Sequence, residues 1–236
     1  MTLRERVEAV RANIAAAARE AGREAGEITL VAATKVQTSE TIRQAIAAGI
    51  TVCGENRVQE MTAHLADNAY EGAALHFIGH LQTNKVKFVV GRVDLIESVG
   101  SLHLLEAIQA QAAKAGVVQD ILLEVNVGGE ESKSGVAVSE LPELVERSLQ
   151  LDHVRLRGLM AIPPAAREPG ENRPFFAQMH QLFVDIKGNI DDNKAVLDCL
   201  SMGMSGDYMD AVREGATLVR VGTALFGPRP PMGTPR

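Results

Sequence analysis

Eight short apolar or β-branched runs recur along the chain, each followed by a polar or glycine-containing turn and then a segment of helical period. The runs fall at 28–33, 51–53, 75–78, 93–97, 121–127, 154–160, 196–200 and 218–221. Helical periodicity lies between them at about 39–48, 56–68, 83–91, 101–115, 139–149, 172–187 and 207–214. An eighth cover is available ahead of the first run. There Leu3, Val7, Val10, Ile14, Ala17 and Ala21 form one apolar stripe among Arg and Glu residues, and Gly22 ends it. Strand and helix alternating eight times is the arithmetic of an α/β protein built as a single (β/α)8 TIM barrel, here with an extra N-terminal helix. One false strand would turn the same pattern into an open, doubly wound sheet.

Length supports one barrel over two small domains. At roughly 150 residues per domain, 236 residues fall between one and two, the range of a single α/β barrel. One domain over 1–227 is expected, followed at 228–236 by a flexible tail whose PRPPMGTPR composition prevents regular structure. A second proline-rich stretch, 162–174, follows the sixth run. Composition then removes several functions. With 46% apolar and 23% charged residues the chain can bury a core. A net charge of −6 and 3% aromatic content supply neither the basic stripe nor the stacking platforms of a nucleic-acid binder, and they disfavour anionic membranes. No run approaches the ~18 apolar residues of a membrane span, and the charged, helix-patterned start is no signal peptide; a cytoplasmic protein is expected. Cys53 and Cys199 lie far apart in apolar runs and read as small buried hydrophobes of a reducing compartment.

In a parallel barrel the chemistry sits at the C-terminal ends of the strands. The first run ends in Ala32-Ala33-Thr34-Lys35, the second in Gly54-Glu55-Asn56, the third in Gly79-His80 and the fifth in Asn126. The seventh ends in Ser201-Met202-Gly203-Met204-Ser205-Gly206 and the eighth in Arg220-Val221-Gly222-Thr223. Lys35 follows an uncharged stretch from Ile28 to Thr34, so its amine is expected near the mouth with reduced hydration, a setting that favours attack on aldehydes. The competing reading is a solvated lysine at a strand end. Ser205-Gly206 and Gly222-Thr223 offer hydroxyls and free N–H groups after the last two strands, where barrels commonly bind phosphate; each alone also reads as an ordinary turn or cap. Arg220 shares the side of its strand with Gly222 by period two, the alternative being an ion pair with Glu214 or Asp207.

An imine-forming lysine and a phosphate cup on neighbouring strands together suit pyridoxal 5′-phosphate. The segments LVAATKVQTSETIRQAIAAG, GENRVQE, HFIGHLQTNK, VNVGGEESKSG, GLMAI, LSMGMSGD and VRVGTALFG resemble, in this order, the pyridoxal phosphate homeostasis protein family, whose fold is that of the N-terminal barrel of alanine racemase. The resemblance implies that Lys35 is the Schiff-base lysine, that Ser205, Gly222 and Thr223 bind the phosphate, that Arg220 faces the pyridine nitrogen and that Asn56 lies in the cofactor pocket. His80 falls in a family motif but receives no contact. Arg57 replaces a tyrosine common after Gly-Glu-Asn, and Gly100 an acidic residue common after the fourth strand; both concern the rim.

The implied role is intracellular vitamin B6 homeostasis: holding pyridoxal phosphate, limiting free aldehyde and passing it transiently to apo-enzymes, as a monomer and without strong catalysis. An arginine at the ring nitrogen leaves it neutral and a weak electron sink. The alternative, a pyridoxal phosphate-dependent amino acid racemase, needs a second base on the opposite ring face, and the chain has only Tyr70 and Tyr208, Tyr70 being expected at the N-terminal face. A sugar-phosphate barrel with Lys35 as an aldolase-type base is a more distant alternative. Lys133, in a Ser-Gly loop after the fifth run, is either a second acceptor amine or a surface lysine, while Lys85 and Lys87 read as solvated on a helix.

Overall fold

In the computed structural model, which describes residues 1–130, 134–190 and 195–228, each of the eight runs falls on a strand. They are β1 (Thr29–Ala33), β2 (Val52–Glu55), β3 (Ala74–Phe77), β4 (Leu95–Val99), β5 (Gln119–Asn126), β7 (Val154–Met160), β8 (Cys199–Ser201) and β9 (Leu218–Val221). A two-residue strand, β6 (Val136–Ala137), was not legible in the pattern and pairs with the end of β5 outside the barrel. All pairings are parallel. The order β1-β2-β3-β4-β5-β7-β8-β9 closes because β9 also pairs with β1, Val31 opposite Arg220, and β4 with β5, Ile96 opposite Ile121. The expected barrel is therefore closed and the open sheet is excluded. The run at 196–200 starts its strand late, although Val196 and Asp198 already donate backbone hydrogen bonds to Leu156 and Arg157.

The cover consists of α1 (Leu3–Glu20), α2 (Ser39–Ala47), α3 (Val58–Ala66), α4 (Leu102–Ala115), α5 (Leu141–Leu149), α6 (Arg173–Asn189), α7 (Tyr208–Arg213) and the short α8 (Thr223–Phe226). Thr2 and Glu5 form a capping box at the start of α1, and Gly22 adopts φ 69° just past its end. Its stripe of Val7, Val10, Ile14 and Ala17 is buried against α2, α7 and α8. Each of the larger side chains contributes about 1.5–3 kcal/mol by leaving water. Because α8 has a single turn, α1 supplies the missing outer layer over β9 and β1. The segment expected to be a helix at 83–91 is instead a 3-10 helix, Thr83–Phe88. Thr83 and Asn84 are poor helix formers and Gly91, at φ 73°, ends the segment before a stable α-helix can propagate. The tail beyond Pro228 and Lys133 lie outside the described residues.

Two apolar layers result. One packs helices against the outside of the barrel; the other, formed by Val31, Ala33, Val52, Ile78, Leu95, Leu122, Met160 and Leu218, fills its inside. Polar side chains at the same interior parity interrupt this inner cluster: His76, Glu97, Ser201 and Arg220 are all buried.

Candidate functional site

At the C-terminal ends of the strands a cavity of about 250 Å³ is lined by Lys35, Asn56, Ser205, Gly206, Arg220, Gly222 and Thr223, with apolar walls that include Ala33, Ile78, Met204 and Phe226. Every residue singled out at the mouth for binding is thus brought to one cavity. Such a mixture, apolar walls with a few convergent polar groups, is the usual composition of a small-molecule site.

Lys35 stands one residue beyond Thr34, which is buried and donates its hydroxyl to Glu55 Oε1 at 2.6 Å, with the Gly54 carbonyl at 3.2 Å. The chain then turns sharply, Gln37 N donating to Thr34 O at 3.0 Å. Lys35 and Val36 are the two central residues of this turn. Val36 has φ 59°, a left-handed conformation that a β-branched residue adopts at a cost of about 1–3 kcal/mol. Its N–H donates to Glu60 Oε2 at 2.9 Å, and Arg57 pairs with Glu60 Oε1 at 3.1 Å.

Ser205 lies across the mouth from Lys35. Its Oγ accepts from the N–H groups of Gly222 (3.1 Å) and Ala224 (3.2 Å), so the hydroxyl joins the loop after β8 to the loop after β9. The first of these loops is held from below by Asp207. One carboxylate oxygen accepts from Met204 N at 2.7 Å and the other from Asn172 Nδ2 at 2.7 Å, tying the loop to the residue preceding α6.

Arg220 makes neither ion pair considered from its sequence neighbourhood. Glu214 pairs with Arg173 at 2.6 Å, and Asp207 is occupied as described. Arg220 instead turns into the barrel, where Nη1 donates to the Ser201 hydroxyl and lies 3.7 Å from Glu97 Oε2, and Nη2 donates to Ala161 O at 2.9 Å. Ser201 Oγ in turn donates to Glu97 Oε2 at 2.6 Å, and His76 Nδ1 lies 2.7 Å from Glu97 Oε1. Burial pulls Arg220 below its usual range, opposed by the charges of Glu97, Glu124 and Asp207. Burial alone would raise the Glu97 carboxyl, but His76, Arg220 and Ser201 together hold it below the usual carboxylate range. Glu124 has no comparable hydrogen bonds, and burial raises it despite the charge of Arg220. Glu97 is thus joined to Arg220 both directly, Nη1 to Oε2 at 3.7 Å, and through the Ser201 hydroxyl. Sequence reasoning overlooked Glu97, His76 and Ser201 as partners of Arg220; the available signal was a charged residue inside the apolar run 93–97.

Asn56 also lines the cavity, and its Oδ1 is buried without a hydrogen-bond partner in the structure. Its backbone passes so close to Gly79 that a Cβ there would sit 2.2 Å from Asn56 O, which is why the third strand must end in glycine. The other strand-end residues go elsewhere. His80 is exposed, with Nδ1 3.4 Å from Ser134 Oγ, and Asn126 Nδ2 donates to Glu130 O. Tyr70 lies, as expected, in the connection between α3 and β3. It is buried behind β2, its hydroxyl donating to Glu55 Oε1 at 2.9 Å beside His64. Tyr208 OH accepts from Asn13 Nδ2 at 2.9 Å. Cys53 is buried as expected but Cys199 is half-buried; burial, reinforced by Glu55 and Asp198 respectively, pushes both thiols up to about 12. Lys85 and Lys87 lie against the Phe88 ring. Arg57 is exposed and lines no part of the cavity. A Cβ on Gly100 would meet Gly135 Cα at 2.8 Å, so an acidic side chain there requires a shifted loop.

A larger concavity, about 730 Å³, opens at the opposite, N-terminal end. Its main charges neutralise one another: Arg155 and Arg157 pair with Asp120 at 2.6 Å, and Arg157 with Asp198 at 2.5 Å. This face of a barrel ordinarily serves stability. Among the described residues there is no cluster suited to a metal ion, and no helix is long and apolar enough to cross a membrane.

The family model for the N-terminal domain of alanine racemase matches residues 6–230. A "Pyridoxal phosphate homeostasis protein" of Aquifex aeolicus (strain VF5) is 44% identical over 95% of this chain and 97% of its own. A protein of the same name from Pseudomonas aeruginosa is 40% identical over 97% and 96%. The structure of PipY from Synechococcus elongatus PCC7942, described as having PLP bound, superposes with a TM-score of 0.79 at 33% identity, covering 96% of this chain and all of that one.

Proposed function

The chain belongs to the pyridoxal phosphate homeostasis protein family, and from that premise we propose that it binds pyridoxal 5′-phosphate at the C-terminal mouth of its barrel, buffering and delivering it as one binding unit over 1–227. The observation that carries this reading is the convergence of Lys35, Ser205, Arg220, Gly222 and Thr223 on a single cavity. When bound, the cofactor supplies an aldehyde that condenses with a primary amine with loss of water. Lys35 provides that amine. Ser205 and Thr223 would donate hydroxyls toward the phosphate; the Gly222 N–H, which Ser205 Oγ accepts in this structure, and the loop bearing Gly206 would supply backbone N–H groups beside them. Arg220, paired with Glu97 and lining the cavity, would serve as a donor to the ring nitrogen and leave it unprotonated. The unpartnered Oδ1 of Asn56 gives the cavity a further polar contact, while Ile78, Met204 and Phe226 exclude water from the ring faces.

Losing one charge-assisted hydrogen bond costs roughly 1–3 kcal/mol. Ser205→Ala and Thr223→Val are each expected to weaken pyridoxal phosphate binding by that amount in equilibrium titration. Pyridoxal, which lacks the phosphate, should bind far more weakly than its phosphate; equal dissociation constants would remove the cup.

Buffering rather than turnover is supported by the names of the relatives and by where the acids and bases lie. Racemisation needs a base on each face of the ring, and the hydroxyls of Tyr70 and Tyr208 are engaged with Glu55 and Asn13 away from the cavity. Holo-protein incubated with L- and D-amino acids in deuterated water should therefore show release of cofactor to an apo-enzyme without enzyme-like α-proton exchange. Exchange or racemisation at about 1 s⁻¹ or faster would reject the carrier role and favour the racemase.

A further inference from the structure

From the turn that follows β1 we infer that Glu60 is a positioning residue for Lys35, acting through the N–H of Val36 to select the backbone conformation that presents the amine. The inference rests on the proposed role of Lys35 and adds a residue to it.

Residues 34–37 form a β-turn closed by the Gln37 N–H to Thr34 O bond, with negative φ at Lys35 and φ 59° at Val36. That sign pattern belongs to a type II turn, in which the second central residue is ordinarily glycine or asparagine. Valine is among the least suited side chains for the position. The competing type I turn has the same ends and the same closing bond. It differs by a flip of the peptide joining Lys35 to Val36, which changes ψ of Lys35 and φ of Val36 together and sends the Val36 N–H to the opposite side. Intrinsic preference at Val36 therefore favours the flipped form, and something must oppose it.

Glu60 is placed to do so. Its Oε2 accepts the Val36 N–H at 2.9 Å, a charge-assisted bond available only when the peptide faces α3. Glu60 is itself set on the first turn of α3 and steadied by Arg57 at 3.1 Å. Val36 in turn contributes its side chain to the cavity wall, so the strained residue is part of the site. The carboxylate is thus aimed at the backbone adjoining the amine from a helix that contributes nothing else to the cavity.

The predicted consequence is non-additive. Glycine takes positive φ without steric cost, so Val36→Gly should make Glu60 dispensable. We expect Glu60→Ala to weaken pyridoxal phosphate binding about tenfold and to slow formation of the borohydride-reducible adduct by a similar factor. Glu60→Gln, whose amide oxygen can still accept, should recover most of both. In the Val36→Gly background, Glu60→Ala should cost less than threefold. Pyridoxine 5′-phosphate, which has no aldehyde, should bind the wild-type, Glu60→Ala and Glu60→Gln proteins alike, because Glu60 does not line the cavity and the groups assigned to the phosphate lie on other strands. Equal effects of Glu60→Ala in the valine and glycine backgrounds, or equal losses for the aldehyde and the alcohol, would overturn the inference. Absence of any reducible adduct on wild-type Lys35 would instead overturn the reading on which it rests, so the two failures are distinguishable.

Discussion

Lys35→Ala protein, loaded with pyridoxal 5′-phosphate and reduced with borohydride, should yield no cofactor-bearing peptide, whereas the wild-type protein should carry the added mass on the peptide containing Lys35. The amine stands at the end of β1, while the hydroxyl and N–H groups assigned to the phosphate stand on the loops after β8 and β9. Removing Lys35 therefore leaves the anion contacts intact. Affinity should fall by at least about tenfold, equivalent to 1.4 kcal/mol, yet remain stronger for pyridoxal phosphate than for pyridoxal. The visible absorbance of the loaded wild-type protein should be missing from the variant. Cofactor mass recovered only on another lysine, Lys133 included, would displace Lys35 from its role.

The second large effect concerns the barrel interior. Glu97→Gln keeps the shape of the side chain and removes the carboxylate paired with a guanidinium that is 4% exposed. Breaking a buried pair from one side costs about 3–5 kcal/mol, because the remaining charge stays buried without compensation. Urea unfolding of the cofactor-free protein should show that loss. The pH dependence has a definite sign. The folded Glu97 carboxyl lies below its usual range, so its contribution is present above the unfolded value of about 4.3 and is lost as pH falls through the folded one. The gap between wild type and variant should therefore narrow in acid. A loss under about 1 kcal/mol at neutral pH would mean that Glu124 ionises in place of Glu97, and that the ion pair does not anchor Arg220.

Much of the architecture was legible because barrel strands are enclosed on both sides. Leu30 to Ala33 are all buried, so the run reads as uninterrupted apolar sequence and its end is marked by the first polar residues, Thr34 and Lys35. The same logic groups Ser205, Arg220, Gly222 and Thr223 from sequence, since closed parallel barrels place their strand ends at one mouth. Where local rules govern alone the reading was weaker. Thr83–Phe88 carries a helical spacing that propensity reduces to a 3-10 turn, and β6 is too short to leave a period.

What the order of residues determined by itself was the count of βα units, the face on which chemistry collects and the strand-end residues gathered there. Those follow from periodicity, which is a property of the chain; closure itself was decided by the pairing of β9 with β1. The tertiary structure alone decided the partners. Arg220 meets Glu97, which is 123 positions away, rather than the nearby Asp207 or Glu214, because curvature of the sheet points β4 and β9 side chains into one interior where a buried guanidinium must find a buried carboxylate. Val36 takes a conformation that its side chain resists because Glu60, brought alongside by α3, accepts its N–H. Periodicity specifies which side of an element a residue occupies; desolvation and packing between distant elements specify what it touches there.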